Sequence, residues 1–304
     1  MTIQKIIETI NLIEKKFKRY SIFFFKKIAI NIYLRSNRRP WRFGFNEYRD
    51  WYLGNTLKDN ELMDSFKKSL PLPKHYGYRL DVRVIEIPWV ISRLRQKSEK
   101  ILDAGSALNN IIVLTAPQLA NKVITILTLA PESVCFWNKG ISYVFGDVRD
   151  LDFKDETFDS VICISTIEHV GMDNSMYIRN QSLADKGNQK DFIIAIKELK
   201  RVLKTGGTLY CTFPFGEYEN HIWFQQFDSI LADILIKTFE PENYHETIYR
   251  YNPDGWVTSN RDSCAHCQYF DVHTSKYFDP LSTIEYPPDY PAAERAVACL
   301  ELIK

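Results

Sequence analysis

Two short segments of the chain carry the residues best suited to hold a small ligand. In the segment 100–106 an apolar run ends in Asp103, a small residue follows, and Gly105 allows a sharp turn. A second pair, Gly146 and Asp147, follows about forty residues later. An acid and a glycine turn at the end of a strand are typical of the point where a nucleotide-type ligand meets a parallel sheet. In a dinucleotide-binding strand the glycines come first, as G-x-G-x-x-G, so the order found here argues against that ligand class.

Two histidines are candidates for acid–base chemistry. His169 lies just past an apolar run at 159–165, and His221 lies in a loop after a second such run at 207–213. The ordinary pKa of an imidazole is about 6.5, so it can accept a proton near neutral pH. Both histidines also have a structural interpretation, His169 in lining a pocket and His221 in a surface loop beside a helix cap at Asn220. The sequence leaves both interpretations open.

The elements that must position these residues alternate between strands and helices from residue 76 onward. The predicted strands cover 100–104, 123–129, 142–146, 159–165, 207–213, 245–250 and 295–303. The predicted helices cover 80–96, 109–120, 190–203 and 223–238. Two of the strands, 159–165 and 207–213, are apolar nearly throughout, which is typical of parallel strands covered on both faces. The pattern therefore predicts parallel βαβ units and an α/β fold.

Three segments in this order resemble a known family. They are ILDAGS at 101–106, GDVRDLDFKDETFDSVICISTIEHVG at 146–171 and ELKRVLKTGGTLYCTFPFG at 198–216. The chain is similar to class I S-adenosylmethionine (SAM)-dependent methyltransferases of the methyltransferase-11-like, small-molecule or glycan type, best over residues 76–216. The resemblance implies a Rossmann-like three-layer sandwich with a seven-stranded, mostly parallel sheet, an antiparallel last strand and an N-terminal helical extension. It also implies SAM as cofactor and a small-molecule or glycan-type acceptor, as in polysaccharide biosynthesis or on a lipid-linked sugar.

The resemblance further implies roles for individual residues. The residues that would hold the methionine end of the cofactor are Asp103, Gly105 and Ser106. Asp147 would contact the adenine amino group, with Val148 beside it. Ser165, which follows the fourth strand, would face the sulfonium and the acceptor. His169 and His221 are the candidate catalytic residues.

The chain departs from the family pattern at two places. Thr128 stands where the family has an acid for the ribose hydroxyls, and Glu132 could take that role only in a rearranged turn. A neutral hydroxyl gives up a charge-assisted hydrogen bond worth roughly 1.5–3 kcal/mol. Ala107 and Asn109 replace later glycines of the loop, and a Cβ hinders close approach to a ligand. A catalytically inactive binding or scaffold protein with a methyltransferase fold is therefore the alternative hypothesis.

Charge is divided unevenly along the 304 residues. Residues 1–43 hold 11 Lys and Arg against two acids, whereas the rest of the chain holds 28 against 36. Apolar residues recur at helical spacing over 3–20, and an aromatic stretch at 21–34 is broken by Lys26 and Lys27. Such a basic, aromatic segment favours peripheral contact with the inner face of a membrane. It is equally typical of a helical extension packed on its own domain or on a partner subunit.

We expect two parts in the chain. Residues 1–75 form a basic, aromatic N-terminal extension, and residues 76–304 form the catalytic domain with a C-terminal insertion at 239–294. Six scattered cysteines predict a reducing, cytoplasmic location without a disulfide framework. The acidic body argues against nucleic acid as a partner. The oligomeric state stays open.

No metal site is expected. The residues with a metal-like arrangement are Cys264, His266, Cys267 and His273. A structural zinc site usually needs a second pair of ligands at a suitable distance, and only His273 follows the cysteines closely.

Overall fold

The structure is a computed structural model that describes residues 24–177, 187–272 and 293–304. Its strands are β1 (Glu99–Ala104), β2 (Lys122–Thr128), β3 (Ser142–Phe145), β4 (Phe158–Ile164), β5 (Leu203–Pro214), β6 (Glu219–Asn220), β7 (Gln225–Gln226), β8 (Asn243–Asn252), β9 (Gly255–Ser259) and β10 (Ala296–Ile303). Its helices are α1 (24–35), α2 (Phe45–Thr56), α3 (Asn60–Lys67), α4 (Arg83–Arg93), α5 (Ile111–Leu114), α6 (Phe192–Val202), α7 (Ser229–Phe239) and α8 (Arg261–Cys264).

Eight strands form one mixed sheet in the order β3-β2-β1-β4-β5-β10-β8-β9. The first five strands of this order pair in parallel, and β10 runs antiparallel to both β5 and β8. The predicted Rossmann-like α/β fold with an antiparallel last strand is therefore confirmed. The sheet has eight strands rather than seven because Gly255–Ser259 folds back on β8 as a hairpin. The predicted insertion at 239–294 thus begins with two strands of the main sheet.

Both faces of the central parallel strands β1 and β4 are buried. Ile101 and Ile162 point into the apolar core on one side of the sheet, and their neighbours Leu102 and Val161 point into the core on the other side. Helix α4 contributes to the first core, and helices α6 and α7 contribute to the second. This double burial explains why these strands are apolar nearly throughout. Because the strands are parallel, their carboxyl ends lie at one edge of the sheet.

Two predicted helices differ from the structure. The helix predicted over 109–120 is split into α5 and a 3₁₀ turn at Pro117–Leu119, since proline removes a backbone donor and ends the first turn. The helix predicted over 223–238 begins only at Ser229, where the Asp228 carboxylate accepts a hydrogen bond from the N–H of Leu231 at 2.9 Å. The residues before Asp228 contribute to the small hairpin β6–β7 instead.

The N-terminal extension is more regular than the sequence predicts. None of the predicted strands or helices falls within 35–75, but this range contains α2 and α3, and the carboxylate of Asp59 caps the first turn of α3. The amphipathic helix predicted over 3–20 lies outside the described residues. Within the described ranges, no helix combines the length and the apolar character needed to cross a bilayer.

Candidate active site

A cavity of about 430 Å³ opens at the carboxyl edge of the parallel strands. The loops after β1, β2, β3 and β4 form its walls, because parallel strands end at the same edge. The predicted site residues that line the cavity are Gly105, Thr128, Asp147, Val148, Ser165 and His169. The predicted site residues that are not part of its lining are Asp103, Ser106 and His221.

Asp103 stabilises the loop after β1 through hydrogen bonds inside the turn. Its side chain is fully buried, and its two carboxylate oxygens accept hydrogen bonds from the N–H groups of Ala107 at 3.2 Å and Leu108 at 2.8 Å. Burial raises the pKa of Asp103 to about 7, although these hydrogen bonds and the nearby Arg83 act in the opposite direction. Asp103 therefore holds the turn that presents Gly105 to the cavity.

Gly105 is required by a close approach of two loops. Its φ is +122°, and its N–H donates to the carbonyl of Leu127 at 2.9 Å, which ties the loop to β2. A Cβ at this position would overlap the hydroxyl of Thr166 in the loop after β4. The hydroxyl of Ser106, next along the loop, is buried and has no hydrogen-bond partner within the described chain.

The loop after β3 holds Asp147 in a clamp. Arg149 donates to its carboxylate from the backbone N–H at 2.8 Å and from Nη2 at 2.6 Å, and Nη1 of Arg149 donates to Asp191 at 2.8 Å. Burial alone would raise the pKa of Asp147, but the hydrogen bonds from Arg149 outweigh it and hold the pKa below its ordinary value. Asp147 is thus an oriented carboxylate at the cavity wall. Sequence reasoning missed Arg149, although an arginine two residues after the acid was a signal.

The loop after β2 supplies a second carboxylate. Thr128 donates from its hydroxyl to the carbonyl of Ala130 at 3.1 Å, so this side chain stabilises its own turn. The same turn brings Glu132 to the cavity wall. Glu132 and Thr128 therefore line the same cavity.

His169 lies in the cavity wall as a neutral base. Its Nδ1 lies 2.9 Å from the carbonyl of Trp223, and because a carbonyl only accepts, Nδ1 carries the proton. Burial lowers the pKa of His169 to about 4, against the opposing effect of the Trp223 hydrogen bond. Near neutral pH the ring is uncharged and Nε2 keeps its lone pair. Nε2 lies 3.9 Å from Glu168, and the Tyr177 ring lies edge-on to the imidazole at 5.6 Å.

Buried acids lie behind this wall. Glu86 accepts hydrogen bonds from the hydroxyls of Ser165 and Thr212, both at 2.5 Å, and its other oxygen pairs with Arg83 at 3.0 Å. Glu168 is also buried, and burial, reinforced by the charge of Glu86, raises its pKa well above the ordinary value. Glu86 thus fixes the rotamer of Ser165 and leaves that hydroxyl able to accept a hydrogen bond. Sequence reasoning missed both Glu86 and Arg83, which precede the first strand.

His221 is not part of the cavity lining and lies in the connection between β6 and β7. Its ring stacks on Phe224 at 4.5 Å, and its nitrogens lie 3.4 Å from Asp271 and 3.5 Å from Glu219. This segment also contains Trp223, whose carbonyl holds His169. The structure therefore places His221 in the support of His169 rather than at the cavity wall.

Metal ligands are not gathered anywhere in the described ranges. Those residues contain no group of three or more His, Cys, Asp or Glu side chains that could hold an ion. Cys264 and Cys267 are free, buried thiols, and His273 lies outside the described residues.

The centre of the chain is similar to a known protein family. Residues 102–211 match the model of a family described as a methyltransferase domain. No curated protein sequence matches the chain significantly.

The chain is also similar to several solved structures. One is the 1,6-didemethyltoxoflavin-N1-methyltransferase of Burkholderia thailandensis with bound S-adenosylhomocysteine, at 12% identity and TM-score 0.40, covering 68% of this chain and 72% of that one. A second is the YcgJ protein of Bacillus subtilis, at 11% identity and TM-score 0.42, covering 72% of this chain and 97% of that one. A third is the [4+2]-cyclase SpnF, at 15% identity and TM-score 0.45, covering 86% of this chain and 96% of that one. Likeness at this level says nothing about reaction or substrate.

Proposed function

Residues 102–211 form a methyltransferase domain of the class I, SAM-dependent type, and on this premise we propose that the chain methylates a hydroxyl of a glycan-type small molecule. The acceptor class includes a polysaccharide unit or a lipid-linked sugar. The observation that carries the proposal is that four strand ends converge on one cavity with His169, uncharged and with Nε2 unprotonated, in its wall.

The cavity residues fit the cofactor. Val148 lines the cavity and its N–H makes no hydrogen bond within the described chain, so we infer that this N–H donates to a ring nitrogen of adenine. The carboxylate of Asp147 is one-third exposed and can accept from the adenine amino group. Glu132 can accept from the ribose hydroxyls, and the loop at Gly105 lets backbone approach the methionine part.

The reaction divides the work between cofactor and chain. The cofactor, when bound, supplies a methyl group on a sulfonium centre with a neutral thioether as leaving group. The chain must hold the acceptor oxygen in line at roughly 3–3.5 Å and accept its proton. We assign the second task to His169 Nε2, because Nδ1–H is committed to Trp223 and Nε2 keeps its lone pair. With a pKa of about 4 the imidazole is a weak base, so it accepts the proton only as the bond from oxygen to methyl forms.

The support for a sugar acceptor is an aromatic side chain beside this base. Tyr177 lines the cavity, is 46% exposed, and has its ring next to His169. An exposed aromatic face suits stacking on the apolar face of a sugar ring. The tyrosine-rich segment from residue 273 to 292 lies outside the described residues.

Cofactor binding is tested by titration calorimetry with S-adenosylhomocysteine. Gly105→Ala should lose at least tenfold in affinity, because its Cβ would force apart the loops after β1 and β4. Gly140→Ala is the matched control, since Gly140 also has a positive φ but its Cβ would meet no atom of the described chain within 4 Å. Wild-type protein without saturable binding would favour the scaffold alternative and overturn the proposal.

Methyl transfer is tested with SAM that carries a labelled methyl group. The acceptors are a panel of free, nucleotide-linked and lipid-linked sugars, with small amines as the contrast. His169→Asn should lower kcat on the preferred sugar by about 10²–10⁴-fold and leave S-adenosylhomocysteine affinity within a few-fold. Label transfer to amines alone, or an unchanged kcat in the variant, would contradict the assignment.

A further inference from the structure

An exposed apolar surface lies on the N-terminal extension. In α1 the side chains of Phe24 and Phe25 are 63% and 69% exposed, and Ile28 and Ile32 continue the same face. Positions 24, 28 and 32 recur every four residues, so they form one stripe along the helix. Two more exposed rings come from Phe43, just before α2, and from Trp51 within α2. These six residues are called the N-terminal patch below.

The patch faces outward because the other face of α1 is fixed to the domain. Ala29 and Tyr33 are buried, and the Tyr33 hydroxyl donates to the carbonyl of Arg38 at 2.9 Å. Gly44 packs so closely on Ala29 that a side chain there would overlap the helix backbone. The ring of Tyr33 contacts Phe45 at 5.8 Å. Rotation of α1 to bury the patch would break these contacts.

Cations are frequent in the part of the chain that carries the patch. Residues 24–51 contain seven Lys and Arg against two acids, Glu47 and Asp50. Lys26 and Lys27 are exposed in α1 itself, directly after the two phenylalanines. The remainder of the chain beyond residue 43 carries more acids than bases. Exposed aromatic and aliphatic side chains with flanking cations are the combination that enters the interface of an anionic bilayer.

We propose that the N-terminal patch docks on the surface of an anionic lipid bilayer. The aliphatic side chains of Ile28 and Ile32 lie within the patch, and they favour a lipid surface over nucleic acid, which offers such groups no apolar phase. The cations favour a bilayer over an uncharged apolar partner. Phenyl and indole rings lie among the inserted groups, and the lysines contact the headgroups.

Docking would bring the bilayer close to the loop of the candidate site. Asp50, next to Trp51 in α2, accepts a hydrogen bond from Asn110 at 3.2 Å. Asn110 caps α5, which follows the loop at Gly105. Through α2 the patch is therefore linked to the segment that follows the loop at Gly105, an arrangement that, on the proposed function, suits an acceptor carried by a lipid.

The experiment is cosedimentation of the full chain with vesicles of phosphatidylcholine containing about one-third phosphatidylglycerol, compared with phosphatidylcholine alone. The full chain should partition to the anionic vesicles, and less so at high salt. Lys26→Gln with Lys27→Gln should weaken partition about 25-fold, since each headgroup contact contributes about fivefold. The matched control is Lys67→Gln with Lys68→Gln, an exposed pair at the C-terminal end of α3.

The apolar contribution is tested in the same assay. Phe24→Ser with Phe25→Ser should weaken partition at least tenfold. Ile230→Ser is the control, because Ile230 is 68% exposed on α7 and lies outside the patch. Fluorescence of Trp51 should be quenched by brominated phospholipid, and Trp51→Phe should remove that component. Thermal unfolding of each variant confirms that it is folded.

Three outcomes would overturn the proposal. The first is equal binding of wild type and both double variants to the anionic vesicles. Binding that is lost when residues 1–23 are removed but is unaffected by the patch substitutions counts as this outcome. The second is a dimer in light scattering that Phe24→Ser with Phe25→Ser dissociates, without vesicle binding. The third is binding to single-stranded DNA that the lysine substitutions abolish, again without vesicle binding. These readouts do not require methyl transfer, so they remain informative if the proposed function is wrong.

Discussion

Protonation of His169 should destabilise the folded chain in mild acid. The side chain is only one-fifth exposed, and burial lowers its pKa to about 4, against an ordinary value near 6.5. Because the folded pKa is depressed, the folded state binds fewer protons than the unfolded state between these two values. The stabilising effect of the neutral ring is complete above about pH 6.5 and is lost progressively as the pH falls towards 4.

The size of this effect follows from the two pKa values. At pH 5 the unfolded histidine is almost fully protonated, and the folded one is about one-tenth protonated. The proton-binding factor, 1 + 10^(pKa − pH), is about 30 times larger for the unfolded state than for the folded state. This ratio corresponds to about 2 kcal/mol of unfolding free energy. Well below pH 4, where the ring is protonated in both states, the difference between the two pKa values corresponds to about 3 kcal/mol of unfolding free energy.

The assay is urea unfolding of wild type and His169→Asn at pH 8 and at pH 5, followed by fluorescence. Asparagine keeps a donor for the Trp223 carbonyl but does not titrate in this range. Wild type should lose about 2 kcal/mol more than the variant between the two pH values, and other titrating groups cancel in the comparison. An equal loss in both proteins, or an NMR titration of His169 near pH 6.5, would refute the reasoning.

Three further predictions concern single residues of the site. Asp103→Ala should lower the unfolding free energy by about 2–4 kcal/mol in urea titrations, because two N–H groups of its loop lose their acceptor. A loss below about 1 kcal/mol would contradict the role of Asp103 inside the turn. Arg149→Lys should weaken S-adenosylhomocysteine binding about three- to tenfold in calorimetry, since lysine keeps the charge but cannot hold Asp147 through two nitrogens. Unchanged affinity would show that the hydrogen bonds from Arg149 to Asp147 are not needed for cofactor binding. Tyr177→Ala should raise KM for a sugar acceptor several-fold and leave kcat and S-adenosylhomocysteine affinity nearly unchanged, whereas an equal loss of cofactor affinity would place Tyr177 in the cofactor site.

Local pattern was sufficient to predict most of the sheet. The predicted strand at 159–165 is Phe158–Ile164 in the structure, because a short apolar run between turn residues is typical of a buried strand. The segment 223–228 was misread as helix. Its apolar spacing imitates a helix, but the side-chain amide of Gln226 donates to the carbonyls of Glu217 and Cys267, each at 2.8 Å. Those partners lie nine and 41 residues away in the chain.

The sequence by itself determined the αβ alternation, the turn at Gly105 and the presence of an acid in the loop after β3. These features depend on neighbours within a few residues, and local periodicity and backbone sterics encode them. Only the tertiary structure decided the chemistry of the site. The tautomer of His169 is set by a carbonyl 54 residues later, and the hydroxyl of Ser165 is fixed by Glu86, 79 residues earlier. Burial and hydrogen bonding between such distant residues arise only when the chain packs, and no short spacing in the sequence records them.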